Sequence, residues 1–104
     1  MAATVVFSPE AEKQLAELYR YIAEVSSSDT AARYTEAIVV YCESLRTLPR
    51  RGTRRDDIRS GLRITNFRKR VVIAFSVDQE QIAILGIFYG GRNYEIAMQD
   101  EAEL

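Results

Sequence analysis

The chain has 104 residues, 47% of them hydrophobic and 28% charged, with a formal net charge of -1. Those values fit one globular domain over residues 1–104 with a core of its own; two domains would not fit, and a disordered chain would be poorer in Val, Ile, Leu and Phe. Histidine and tryptophan are absent and Cys42 is the sole cysteine, which excludes a Ser-His-Asp triad, an imidazole proton shuttle, an internal disulfide and a structural zinc site.

Thr4-Val5-Val6-Phe7 reads as a short strand. Ser8-Pro9 then opens a helix: Ser8 accepts from free amides, and Pro9 suits the first helical position. Glu10 and Glu12 favour the positive helix end. Ala11, Leu15, Leu18, Ile22 and Val25 recur at spacings of four and three, which predicts one apolar stripe. Ser26-Ser27-Ser28 stops this helix, and Ser28 or Asp29 is expected to cap the next. Tyr34, Ile38, Tyr41, Leu45 and Leu48 continue the spacing rule until Pro49. Two amphipathic helices joined by three serines predict an antiparallel hairpin. Cys42 lies beside the second stripe and reads as a small buried hydrophobe, since no neighbour in sequence would activate its thiol.

Strand signals follow. Leu62 to Phe67 alternates, Arg68-Lys69-Arg70 is a turn, and Val71 to Val77 is rich in β-branched and aromatic residues. Asp78-Gln79-Glu80 turns again, and Gln81 to Tyr89 is the last strand. The order is β-α-α-β-β-β. It predicts an α+β fold, with an N-terminal helical hairpin packed on a curved antiparallel sheet. A short C-terminal segment, 93–104, is expected to start a helix at Asn93 and to fray at Asp100, Glu101 and Glu103. By strict alternation, Ile82, Ile84 and Phe88 point one way and Ala83, Leu85, Ile87 and Tyr89 the other. Both faces of that strand are apolar. Two helices cover one face; the other needs either the chain's own loops and C-terminal segment or a partner protein.

Charge is segregated. Residues 46–70 carry ten cations against Asp56 and Asp57, a local balance of +8, between flanks of -4 and -5. Such a segment suits a polyanionic or acidic partner, or a solvated loop paired with the protein's own acids. No glycine-rich phosphate cradle or spaced acidic cluster occurs, so no cofactor or metal is expected and any catalysis must rest on Arg, Lys, Tyr or carboxylates. The longest apolar stretch, Ile82 to Tyr89, is far short of the roughly 20 residues a membrane span needs. Met1-Ala2-Ala3 shows no basic region before an apolar core. A cytoplasmic location is expected.

Arg55-Asp56-Asp57-Ile58-Arg59-Ser60-Gly61-Leu62-Arg63 resembles the R-x-D-I-x-x-G-L-R segment of ParE toxins, in the RelE/ParE superfamily. Ser8-Pro9-Glu10-Ala11 is similar to that family's S-P-x-A start. Ile84 to Asn93 resembles its last strand, ending in an aromatic-Gly-x-Arg-Asn run. The resemblance covers about residues 4 to 95. It implies a toxin of a type II toxin-antitoxin module that inhibits DNA gyrase without being an enzyme. It also implies neutralisation by a ParD-type antitoxin, with operator DNA bound only through that antitoxin. The apolar grooves would be the antitoxin's docking track.

The alternative is a RelE-like, ribosome-dependent mRNA endoribonuclease. In-line attack of a ribose hydroxyl needs a base, an acid and cations around one phosphate. Arg63, Lys69, Arg70, Arg92 and Tyr94 are the groups on offer, but arginine stays protonated and makes a poor base. A third option is a degenerate member that only co-represses with its antitoxin. Residues expected to contact target or antitoxin are Arg59, Arg63, Arg70, Arg92 and Tyr94. Gly90 and Gly91 should turn the chain sharply and project Arg92, whose other expected role is an ion pair with Asp56 or Asp57.

Overall fold

In a computed structural model, which describes residues 4–78 and 81–99, the first strand, β1 (Thr4–Phe7), lies parallel to the last, β5 (Gln81–Tyr89), with Val5 opposite Ile82. Ser8 closes β1: its amide donates to the Ile84 carbonyl at 2.9 Å. Its Oγ accepts from the Ala11 amide at 3.0 Å and starts helix α1 (Pro9–Val25). One residue thus ends a strand and caps a helix, satisfying an amide the first turn leaves free.

Helix α2 (Ser28–Glu43) follows after two residues. Its cap is Ser27, whose Oγ accepts from the Thr30 amide at 3.1 Å. Ser28 and Asp29, the expected caps, are already helical, and Asp29 instead sits in the first turn beside the positive helix end. The helix also stops before Pro49. It tightens into a 3₁₀ turn at Ser44–Arg46, which buries Leu45 but rotates Leu48 off the stripe, leaving it 52% exposed. At the far end of the other stripe, Val25 is 64% exposed, one residue before the connection.

The remaining strands are β2 (Thr53–Arg54), β3 (Arg63–Phe67) and β4 (Val71–Val77). The sheet order is β1-β5-β4-β3-β2, antiparallel except for the β1–β5 pair. The expected α+β class holds; β2, only two residues long, is an addition. The connection between β3 and β4 is a tight hairpin in which Arg68 and Lys69 both take positive φ, 52° and 65°. Two of the three residues of the turn expected after β4, Gln79 and Glu80, lie outside the described residues, as do Asp100, Glu101 and Glu103.

The α1–α2 hairpin packs on one face of the sheet. Its stripes, through Ala11, Leu18, Ile22, Ile38, Cys42 and Leu45, meet Val71, Ile73, Phe75, Ile82 and Ile84. Strict alternation along β5 fails at one point. Ala74 pairs with Gly86 but Phe75 pairs with Ile84, so Leu85 is an extra residue in the ladder. This bulge shifts the phase. Ile87 and Tyr89 therefore join Ile82 and Ile84 on the helix side, and Phe88 faces away.

The second face is closed by the chain itself. Leu62, Ala74, Phe88 and Met98 are buried together there, with Ile58, Ile64, Val72, Leu85 and Tyr94 around them. Met98 follows a short helix, α3 (Tyr94–Ala97), whose cap Asn93 accepts from the amides of Glu95 and Ile96. Gly86 belongs to this face: a methyl there would stand 2.5 Å from the Phe88 ring. Of the two expected coverings, the loop and C-terminal segment are the ones present. No second polypeptide is required to seal this side.

Candidate functional site

The basic segment does not form one surface. Arg54 pairs with Asp56 at 2.8 Å. Arg55 grips Asp57 with two hydrogen bonds, at 3.0 and 2.9 Å, reaches Glu95 at 3.1 Å and donates to the Tyr94 hydroxyl at 2.8 Å. This planar fork uses bidentate geometry that only a guanidinium supplies. The hydrogen bond from Arg55 holds the Asp57 carboxyl below its usual range. Asp56 is lowered too, first by the Gly61 amide, which donates to it at 2.8 Å, and also by Arg54.

These contacts explain the nine-residue segment from Arg55 to Arg63. Arg55 and Asp57 are the ion pair, Ile58 packs under the loop, and Leu62 is fully buried on the second face. Arg63 donates back to the carbonyls of Arg50 and Arg51 and so clamps the preceding loop against β3. The motif is a structural staple. Arg92 does not pair with Asp56 or Asp57, as its position in sequence suggested, because Arg54 and Arg55 occupy both carboxylates.

Arg70 and Arg92 come together at the opposite end of the sheet. The Gly90 amide donates to the Arg70 carbonyl at 2.9 Å. Gly90 and Gly91 then take φ of 70° and 84°, the left-handed turn expected of them, and deliver Arg92 beside the hairpin. Lys69, Arg70 and Arg92 are exposed, and among the described residues none of them makes an ion pair. Arg68 folds its guanidinium over Phe67, 4.8 Å from the ring centre, and Tyr34, at 5.8 Å. Burial is the main cause that raises the Tyr34 hydroxyl pKa, with Tyr89 adding to it; Arg68 and Arg70 oppose the rise.

The five expected contact residues thus separate. Arg70 and Arg92 share the hairpin end. Arg63 starts β3, which runs about 14 Å to Phe67 at the strand's rise per residue. Arg59 is half-buried in the loop before β3, and Tyr94 is held by Arg55 against Phe88, with ring centres 6.4 Å apart. Arg55, the centre of the largest polar network, carried no individual role in the sequence reading. Its signal was the R-x-D spacing, which places the two charges within side-chain reach. Beside Arg92, Gln14, Glu17, Tyr21 and Tyr89 line a cavity of about 70 Å³, far below the roughly 300 Å³ of a small-molecule pocket. Among the described residues no group of three or more His, Cys, Asp or Glu is placed to hold a metal ion, and no helix is long and apolar enough to cross a membrane.

A helical hairpin on one face of an open five-stranded sheet, stapled by an Arg-x-Asp loop, defines a small α+β domain. The model of the ParE toxin of the type II toxin-antitoxin system, parDE, matches residues 5–94, and the chain belongs to that family. A solved structure described as the chromosomal ParDE toxin-antitoxin system of P. aeruginosa is similar in fold. Its TM-score is 0.74 at 19% identity, covering 86% of this chain and 97% of that one. No curated protein sequence matches the chain.

Proposed function

We propose that this ParE-family toxin acts by binding DNA gyrase, without catalysis of its own, and is neutralised in the cytoplasm by a ParD-type antitoxin. The family match over residues 5–94 carries the reading, and the similar solved structure is of a ParDE pair. The geometry favours a binding mode over a nuclease. A phosphodiester cleavage site needs base, acid and cation around one phosphate. Here Arg63 and Tyr94 are committed to hydrogen bonds within the fold, Arg63 to the carbonyls of Arg50 and Arg51 and Tyr94 to Arg55. Of the five proposed contact residues, Arg70 and Arg92 are the exposed pair; Arg59, Arg63 and Tyr94 act in this reading mainly by shaping the loop. Operator DNA is reached through the antitoxin, whose docking track we place on the helix hairpin. There Val40 is 62% exposed, an apolar anchor of the kind a wrapping segment covers.

Expression of the chain alone in bacteria tests this. Filamentation and a DNA-damage response, with transcripts intact, are expected, and co-expression of a ribbon-helix-helix antitoxin encoded beside it should restore growth. Rapid ribosome-dependent loss of translated mRNA would replace the gyrase reading with the endoribonuclease one.

A further inference from the structure

At the hairpin end of the sheet, cations gather with no carboxylate in ion-pair contact among the described residues, Glu17 lining the cavity beside Arg92 without reaching it. Arg46, Arg54 and Arg55 are neutralised by Glu43, Asp56, Asp57 and Glu95. Lys69, Arg70 and Arg92 are exposed and make no ion pair among the described residues. The chain as a whole carries a net charge of -1, so this positive end reflects placement and not general basicity.

Its backbone is also strained in favour of that placement. Three residues, Arg68 to Arg70, connect β3 and β4. A hairpin turn with two successive residues at positive φ is the natural site of Asn-Gly. Here Arg68 and Lys69 occupy it, at 52° and 65°. Long cationic side chains in left-handed geometry point to a role for the side chains themselves. The Gly90-Gly91 turn, hydrogen-bonded to Arg70, brings in Arg92 from the next strand.

We infer that this end, Lys69, Arg70 and Arg92 with Arg68 beside them, binds the phosphate backbone of duplex DNA without regard to sequence. Arginine forks match phosphate oxygens. A protein partner would look for an apolar centre ringed by polar groups, whereas the exposed large apolar side chain lining the cavity with Arg92 is Tyr21 alone. Single strands would need open aromatic faces for stacking. At this end Phe67 is buried, Arg68 covers it together with Tyr34, and Tyr34 and Tyr89 meet edge to face at 6.2 Å. With Tyr21 as the exposed ring beside Arg92, this cationic end offers little stacking surface and fits a duplex backbone better than a single strand. The inference does not rest on gyrase as target: it concerns the toxin and DNA alone, and adds a contact of the toxin's own to any operator binding by an antitoxin.

Fluorescence anisotropy of the purified 104-residue chain with a duplex of arbitrary sequence, over a salt series and without gyrase, tests it. Three to four phosphate contacts predict that log affinity falls against log salt with a slope of about -3. The double variant Arg70→Ala/Arg92→Ala should weaken binding at least tenfold at low salt and reduce the slope by about 2, with its thermal unfolding unchanged. Arg46→Ala/Arg54→Ala removes the same charge elsewhere and should leave affinity and slope as they were. The inference is overturned by no binding at low salt, by equal losses in the two double variants, or by equal or tighter binding of a single strand or of a poly-glutamate peptide. None of these results bears on gyrase inhibition, which the growth experiment reads separately.

Discussion

Cys42 has no solvent exposure, and its thiol is pushed up to about 12, chiefly by burial and further by Glu43. A thiolate is the reactive form, so the native thiol is inert. The native chain should resist iodoacetamide at neutral pH and react fully once denaturant is added, as read by mass spectrometry. Rapid native alkylation would show the helix-sheet interface to be open. This residue was legible from its place beside a 3-4 spaced stripe, because burial there follows from local periodicity. Arg92 was not. Its choice between Asp56, Asp57 and solvent depends on which other guanidinium reaches those carboxylates first, and Arg55, two positions from Asp57, does so with two hydrogen bonds.

Among the elements, α3 is the least secured. It has four residues, and Ile96 in it is 67% exposed. What holds it over the second face is Met98, the Tyr94 ring on Phe88, and the bonds from Arg55 to Tyr94 and Glu95. Arg55→Ala removes the bonds and leaves the apolar contacts. Faster hydrogen exchange is expected at the Met98 amide, which donates to the Tyr94 carbonyl at 2.9 Å, while exchange in α1 and β4 stays as it was. Unchanged exchange at Met98 would show that packing alone holds the helix. The longer elements were readable in sequence: β4 and β5 run over the expected residues, and α1 starts at its serine cap. Two-residue β2 gave no period to read, and the early end of α2 comes from a 3₁₀ turn that spacing does not encode.

Across the whole molecule, the sheet separates two apolar clusters, and the larger carries most of the packing between layers. Phe75 is fully buried in that larger cluster, opposite the bulge. Phe75→Ala leaves a cavity where helices and sheet meet and should lower stability by about 3–5 kcal/mol. That is a large part of the roughly 5–15 kcal/mol typical of folded proteins. Urea unfolding checks this, with the midpoint moving at unchanged slope. A loss under about 1 kcal/mol would mean that the core collapses around the gap.

The sequence by itself determined the kind and order of the longer elements, the capping serine before α1, and the segregation of charge, because capping and periodicity act over a few neighbouring residues. Tertiary structure alone decided three other matters: which side Phe88 and Ile87 take, which arginine holds which aspartate, and what covers the second face. Each depends on contacts between distant parts of the chain. One extra residue at Leu85 reverses the phase of all that follows in β5. Only the docking of Leu62 and Met98 onto the far side seals an apolar surface that the strands present on both faces.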